Sequence, residues 1–173
     1  CLGDLVAHDL AHVSAEGVQL SGARASKTLA LHRSIYAATR EARCVVHTHA
    51  THLVSLTLQG VWRTSDIVPP ITPYYVMKVG HVPLVPYQRP GAPEVAAEVA
   101  SLIAESNTQH MPLRGVMLER LGPVVWHQTP AEASAVLEEL EETAKLWLMS
   151  ARQASALSEA QINELRERFG ALW

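Results

Sequence analysis

Arg43-Cys44-Val45-Val46-His47-Thr48-His49 is the stretch on which the fold turns. A short apolar run with β-branched residues, ending in two histidines, suits a buried strand. Residues two apart on a strand project to one face, so both imidazoles can converge on one point. Upstream the period changes. Leu31, Ile35 and Ala38 share one helical face and predict a helix over 27–40, with Gly22 making the turn and Ser26 as cap. Downstream, 50–58 reads as a helix leading away from the strand and ending near Gly60.

Farther along, Pro69-Pro70-Ile71-Thr72-Pro73 cannot be a regular helix, because proline removes donors and fixes φ. It predicts an ordered loop carrying Tyr74-Tyr75. The short strand 82–85 contains proline and belongs at a sheet edge or strand end. Pro90-Gly91-Ala92-Pro93 opens a helix to about Ser106, with Val95, Val99, Leu102 and Ile103 as its buried stripe. Two strands, 114–119 and 124–127, are expected to join around Gly122-Pro123. Thr129-Pro130-Ala131-Glu132 has the form of a capping box with proline at the first helical position. The helix after it shows Ala133, Val136, Leu137, Leu140, Ala144, Trp147 and Leu148 at helical spacing, with Glu141 and Lys145 as an i,i+4 pair. Ser158 and Gln161 repeat the capping device, and Gly170 stops the last helix. His8 and His12 fall in a stretch of turns around a short strand. The order is that of a mixed α/β layered domain, and 1–173 reads as one domain.

Composition narrows the function. Of 173 residues, 48% are hydrophobic and 18% charged, which excludes intrinsic disorder. A net charge of −3 offers no electrostatic footprint for nucleic acid or an anionic membrane. No apolar run approaches the roughly 20 residues that a membrane helix requires. Two cysteines, Cys1 and Cys44, make no disulfide framework, and no secretory segment is visible, so a cytoplasmic protein is expected. The start at Cys1 reads as a fragment or a processed product.

His47-Thr48-His49 is the sharpest chemical feature. Divalent metals such as zinc favour imidazole, and three protein ligands with one open position is the usual catalytic arrangement. The same pattern also suits two polar residues closing a strand, one hydrogen-bonded and one solvated. Ser21-Gly22 and Arg24-Ala25-Ser26-Lys27, at a helix start, offer N–H groups, a hydroxyl and cations to a phosphate, or simply cap a solvated helix. Tyr74 or Tyr75 can present a phenol to a site or pack a loop. Glu138, Glu139, Glu141 and Glu142 read as the solvated face of a helix.

Together these residues resemble a known family. Leu31-His32, Ile35-Tyr36, the run from Val45 to His52, Pro69-Pro70, Val82-Pro83-Leu84-Val85-Pro86-Tyr87 and Pro90-Gly91 look like the core of the class II aldolase and adducin family. Thr72-Pro73-Tyr74-Tyr75-Val76-Met77 and the run from Leu137 to Leu146 are most similar to its 3-oxo-tetronate 4-phosphate decarboxylase branch. The resemblance implies a three-layer α/β/α class II aldolase-like domain with a central, mainly antiparallel sheet. It implies a homotetramer with sites between subunits, a phosphorylated sugar-acid substrate, and a divalent metal, typically zinc, on three histidines. His47 and His49 match the first two ligands. Ser26 and Lys27 fall where the family contacts phosphate, and Tyr74 or Tyr75 falls near a tyrosine that reaches a neighbouring subunit's site. In that branch carbon dioxide departs and dihydroxyacetone phosphate remains.

The sequence also departs from the family. Leu121 stands at the third histidine's position and Thr28 at that of the catalytic glutamate. Leucine cannot ligate a metal, and threonine is no base at neutral pH. His127, on the adjoining strand, is the candidate replacement ligand. The family's N-terminal helix, first strands and glycine- and asparagine-bearing phosphate loop have no counterpart, and Cys1-Leu2-Gly3 matches the family segment just after that loop. Two expectations result: a metal-dependent carbon–carbon lyase, or an adducin-like structural or interaction domain that has lost the chemistry.

Overall fold

The computed structural model describes residues 4–173, so the match at Cys1-Leu2-Gly3 lies outside the described residues. The stretch 43–49 forms strand β3 (Cys44–His47), after a hairpin of β1 (His12–Val13) and β2 (Gln19–Ser21) and helix α1 (Leu29–Ala38). Helix α2 (Thr51–Gln59) leaves β3 directly. A π-helical turn (Tyr75–Val79), β4 (Leu84–Val85), α3 (Pro93–Thr108), β5 (Gly115–Leu118), β6 (Gly122–His127), α4 (Pro130–Met149) and α5 (Glu159–Phe169) complete the order.

Strands β3, β6, β5 and β4 lie side by side in one sheet. The β3–β6 and β6–β5 pairs are antiparallel and only β5–β4 is parallel, which gives the expected, mainly antiparallel centre. Alternation of side chains then sorts the core into two halves. Val45, Val124, Trp126, Val116 and Leu118 pack on one face with Leu31 and Ile35 of α1 and Val95, Val99 and Ile103 of α3. Val125 and Met117 pack on the other with Leu53 and Leu56 of α2 and Val136, Leu140 and Trp147 of α4. Helices on both faces make three layers. Burying each large side chain contributes about 1.5–3 kcal/mol, so both faces hold the sheet firmly.

Several local expectations need correction. The β5–β6 turn falls at 119–121, and Gly122-Pro123 already belongs to β6. Gly122 is needed there for close approach. Its φ is 130°, and a Cβ would lie 2.0 Å from the Thr48 carbonyl oxygen. Thr28, not Ser26, occupies the α1 cap position, while Ser26 Oγ accepts from the Thr28 N–H in the preceding turn. The Thr129 side chain caps α4 by accepting from the Glu132 N–H. The Glu132 carboxylate accepts from the Thr129 hydroxyl and contacts His127, so only half of the expected box forms there. The box at Ser158 and Gln161 is complete, and Gly170 ends α5 in the left-handed conformation.

Candidate active site

Strand β3 delivers His47 to the α1/α3 side of the sheet, because it continues the alternation that points Val45 inward there. Its Nδ1 lies 2.9 Å from the Pro123 carbonyl oxygen. A carbonyl only accepts, so Nδ1 carries the proton and Nε2 keeps its lone pair. The His49 ring stands edge-on to it, with centroids 5.6 Å apart. The two imidazoles expected to meet therefore do meet.

Both rings face a cavity of about 350 Å³ that Ser26, Lys27, Thr28, Arg89 and Leu121 also line. The starts of α1 and α3 and the β5–β6 turn bring these distant segments together. His47 also faces a second space of about 940 Å³ between α1 and the β1–β2 hairpin, where His32 and Tyr36 lie. Burial pushes the His47 pKa down, against an upward pull from its Pro123 hydrogen bond, and His49 lowers it further. Burial and then His47 lower the pKa of His32. These shifts favour the neutral form of both rings over the protonated one.

The replacement ligand is not where it would be needed. Register pairs His127 with Cys44 and His47 with Val124, so His127 lies three positions along the hairpin, about 10 Å. Its parity also turns it to the α4 face, the side opposite His47. There its Nδ1 contacts Glu132 at 3.0 Å. Sequence cannot show this, because parity is fixed only once the register is known. Leu121 does line the His47–His49 cavity. Among the described residues, no three His, Cys, Asp or Glu side chains are grouped to hold a metal ion. The donor set present, two imidazoles with a leucine beside them, falls short of the three ligands of a catalytic zinc site.

The two tyrosines separate. Tyr75 is fully buried, its ring centroid 5.3 Å from that of Trp173, and its hydroxyl has no hydrogen-bond partner among the described residues. Burial and then Asp66 push its pKa well up. It cannot reach a neighbouring site. Tyr74, beside it, is 60% exposed. Thr28, where the resemblance implies a glutamate, puts its hydroxyl 2.9 Å from that of Ser26.

One side chain has a larger role than its sequence context suggests. Glu141 does not pair with Lys145, which instead contacts Glu142. Ala50 at the α2 cap position has no side-chain acceptor, and Glu141 reaches across from α4 to replace it. Its Oε1 lies 2.9 Å from the His52 amide and 2.8 Å from His52 Nδ1, and its Oε2 lies 3.1 Å from the Leu53 amide. A carboxylate at a helix N-terminus is favourable, and this one fixes the chain just beyond His49. Glu141→Ala strands two amides and is expected to cost about 1–2 kcal/mol in chemical denaturation. Glu141→Gln, which keeps an acceptor, should recover part of that loss; equal stability of Glu141→Ala and wild type would refute the cap.

Sheet order, paired helices and the histidine-lined cavity together define a class. Residues 1–148 match the Class II Aldolase and Adducin N-terminal domain, and the chain belongs to that family. Among its relatives, it is 54% identical over its whole length to a 3-oxo-tetronate 4-phosphate decarboxylase of Cupriavidus necator, covering 79% of that protein. A protein of the same name from Escherichia coli K12 is 40% identical over 96% of this chain, which covers 76% of it. The crystal structure of YgbL from Escherichia coli superposes with a TM-score of 0.85 at 39% identity, over 96% of this chain and 77% of that one. As a class, class II aldolases generally depend on a divalent metal.

Proposed function

We propose that this chain binds a 3-oxo-tetronate 4-phosphate in the cavity walled by Ser26, Lys27, His47 and His49, and acts on it as a sugar-phosphate decarboxylase. The observation that carries this reading is the convergence of those residues from separate segments on one cavity. The whole-length identity to relatives of that name supports it. In such a substrate the 3-oxo group lies β to the carboxylate. The bond between C1 and C2 breaks, its electron pair moves into the C2–C3 enediolate, and protonation at C2 leaves dihydroxyacetone phosphate with carbon dioxide. The His47 and His49 rings face the space where that charge develops. We read 1–173 as one domain of this kind, acting in the cytoplasm within a homotetramer, and exposed Tyr74 as the phenol available to a neighbouring subunit.

A second reading has its own support. Leu121 at the cavity wall and Thr28 in place of a carboxylate favour a domain that binds the sugar acid without turning it over. The two separate in one experiment. Purified chain supplied with zinc or manganese is given the 4-phosphate substrate, and dihydroxyacetone phosphate is followed by a coupled assay beside direct binding. Release above the protein-free rate is expected for the decarboxylase. Binding without release selects the second reading, and absence of binding overturns both.

A further inference from the structure

We propose that Arg89 is the second anion-recognising side chain of the His47–His49 cavity, gripping the phosphoryl end of the substrate opposite Lys27. Lys27 precedes α1 and Arg89 precedes α3, and both side chains line the same cavity. Their proximity is built into the backbone. Gly91 has φ 81°, and a Cβ there would lie 3.1 Å from the Lys27 carbonyl oxygen and 3.3 Å from the Lys27 Cβ. The turn that carries Arg89 therefore rests directly on residue 27.

Charge is unbalanced at this point. Among the described residues, no Asp or Glu lines the cavity. Among the described residues, neither Lys27 nor Arg89 has a side-chain hydrogen bond or an ion pair. Arg114, by contrast, donates to the Met77 and Lys78 carbonyls, and Arg152 to those of Gln59 and Gly60. Leu31, Val95 and Leu118 make the rest of the wall largely apolar, which strengthens any charge pair formed inside. The cap residues of the two helices, Thr28 and Ala92, make no side-chain cap, so first-turn amides add to the same electropositive end. A guanidinium fork matches two phosphoryl oxygens and an ammonium supplies a second, compact charge. Two cations suit the dianion of a phosphate monoester better than one carboxylate.

The ligand's identity rests on the sugar-acid phosphate reading, but the anion site stands or falls separately. Binding of glycerol phosphate, inorganic phosphate and threonate, a sugar acid without phosphate, is measured by calorimetry at low ionic strength. Wild type, Arg89→Gln, Arg89→Lys and Lys27→Gln are compared. Arg89→Gln is expected to weaken glycerol phosphate binding by about 10- to 100-fold. Arg89→Lys should restore only part of it, and threonate binding should change little. Comparable loss for inorganic phosphate shows that the phosphoryl group itself is read; loss confined to glycerol phosphate, with inorganic phosphate unchanged, overturns the assignment. Arg89 is exposed, so the melting temperature of the free variants should not move. Unchanged affinity in Arg89→Gln with loss in Lys27→Gln overturns the proposal and leaves a one-cation site. Loss for threonate alone overturns it too, since Arg89 would then read the carboxylate. Phosphate binding that depends on Arg89, in a chain that releases no carbon dioxide, upholds the site and sinks only the decarboxylase reading.

Discussion

Leu121→His raises the affinity of this chain for zinc by on the order of 100-fold. A structural zinc site held by four ligands is worth about 10–16 kcal/mol, so one further imidazole supplies about 3 kcal/mol. The position is prepared for it. Leu121 lines the cavity with His47 and His49, and its turn is held from two sides. On one side the Arg120 amide donates to Thr57 Oγ1 of α2 at 3.0 Å. On the other, Gly122 sits against the Thr48 carbonyl. His47 already has the tautomer a ligand requires, because Pro123 holds its Nδ1–H and leaves Nε2 free. Competition against a chromophoric chelator at neutral pH measures the gain. Equal affinity in wild type and Leu121→His would show that residue 121 does not share a centre with the two imidazoles. Adding Thr28→Glu to Leu121→His is the variant in which turnover should first appear, if wild type shows none.

The fold is legible in the sequence because its signals are local. Val45 and Val46 alternate between two cores, Leu31 and Ile35 repeat at helical spacing, and Ser158 with Gln161 caps α5 as its sequence announces. The His47–His49 pair is legible for the same reason, since i and i+2 on a strand share a face whatever lies beyond. The departures all depend on partners distant in sequence. His127 lies one parity step from the face expected of it, and parity is a property of the β3–β6 register. Glu141 has the spacing of half a surface pair, and only the start of α2 at Ala50, without a cap of its own, gives it another use. Tyr75 sits next to exposed Tyr74, yet the π-helical turn sends its ring to the core and against Trp173. Gly122-Pro123 has the composition of a turn. Its glycine is spent instead on the approach to Thr48, and Pro123, near the strand's beginning, offers its carbonyl to His47 and Thr48.

Gly122→Ala tests that approach and carries the other large expected effect. A residue with a side chain at φ 130° costs about 1–3 kcal/mol in backbone strain. The new methyl would also overlap the Thr48 carbonyl, and relieving such overpacking costs a further 1–3 kcal/mol or so. For a chain of this size the sum lowers the melting temperature by roughly 10 °C, and a fall under about 3 °C would argue against the contact. The strain has a direction. The Thr48 carbonyl and the His49 Cα lie nearest the added methyl, at 2.0 and 3.2 Å, so relief moves the segment between the two imidazoles. Gly122→Ala should therefore cancel most of the zinc affinity that Leu121→His adds, even below the double variant's melting point. A double variant that melts early yet keeps the full gain would mean that the turn and the histidine segment bear on each other only through stability. Loss of both would establish that the β5–β6 turn sets the spacing of the site as well as closing the sheet.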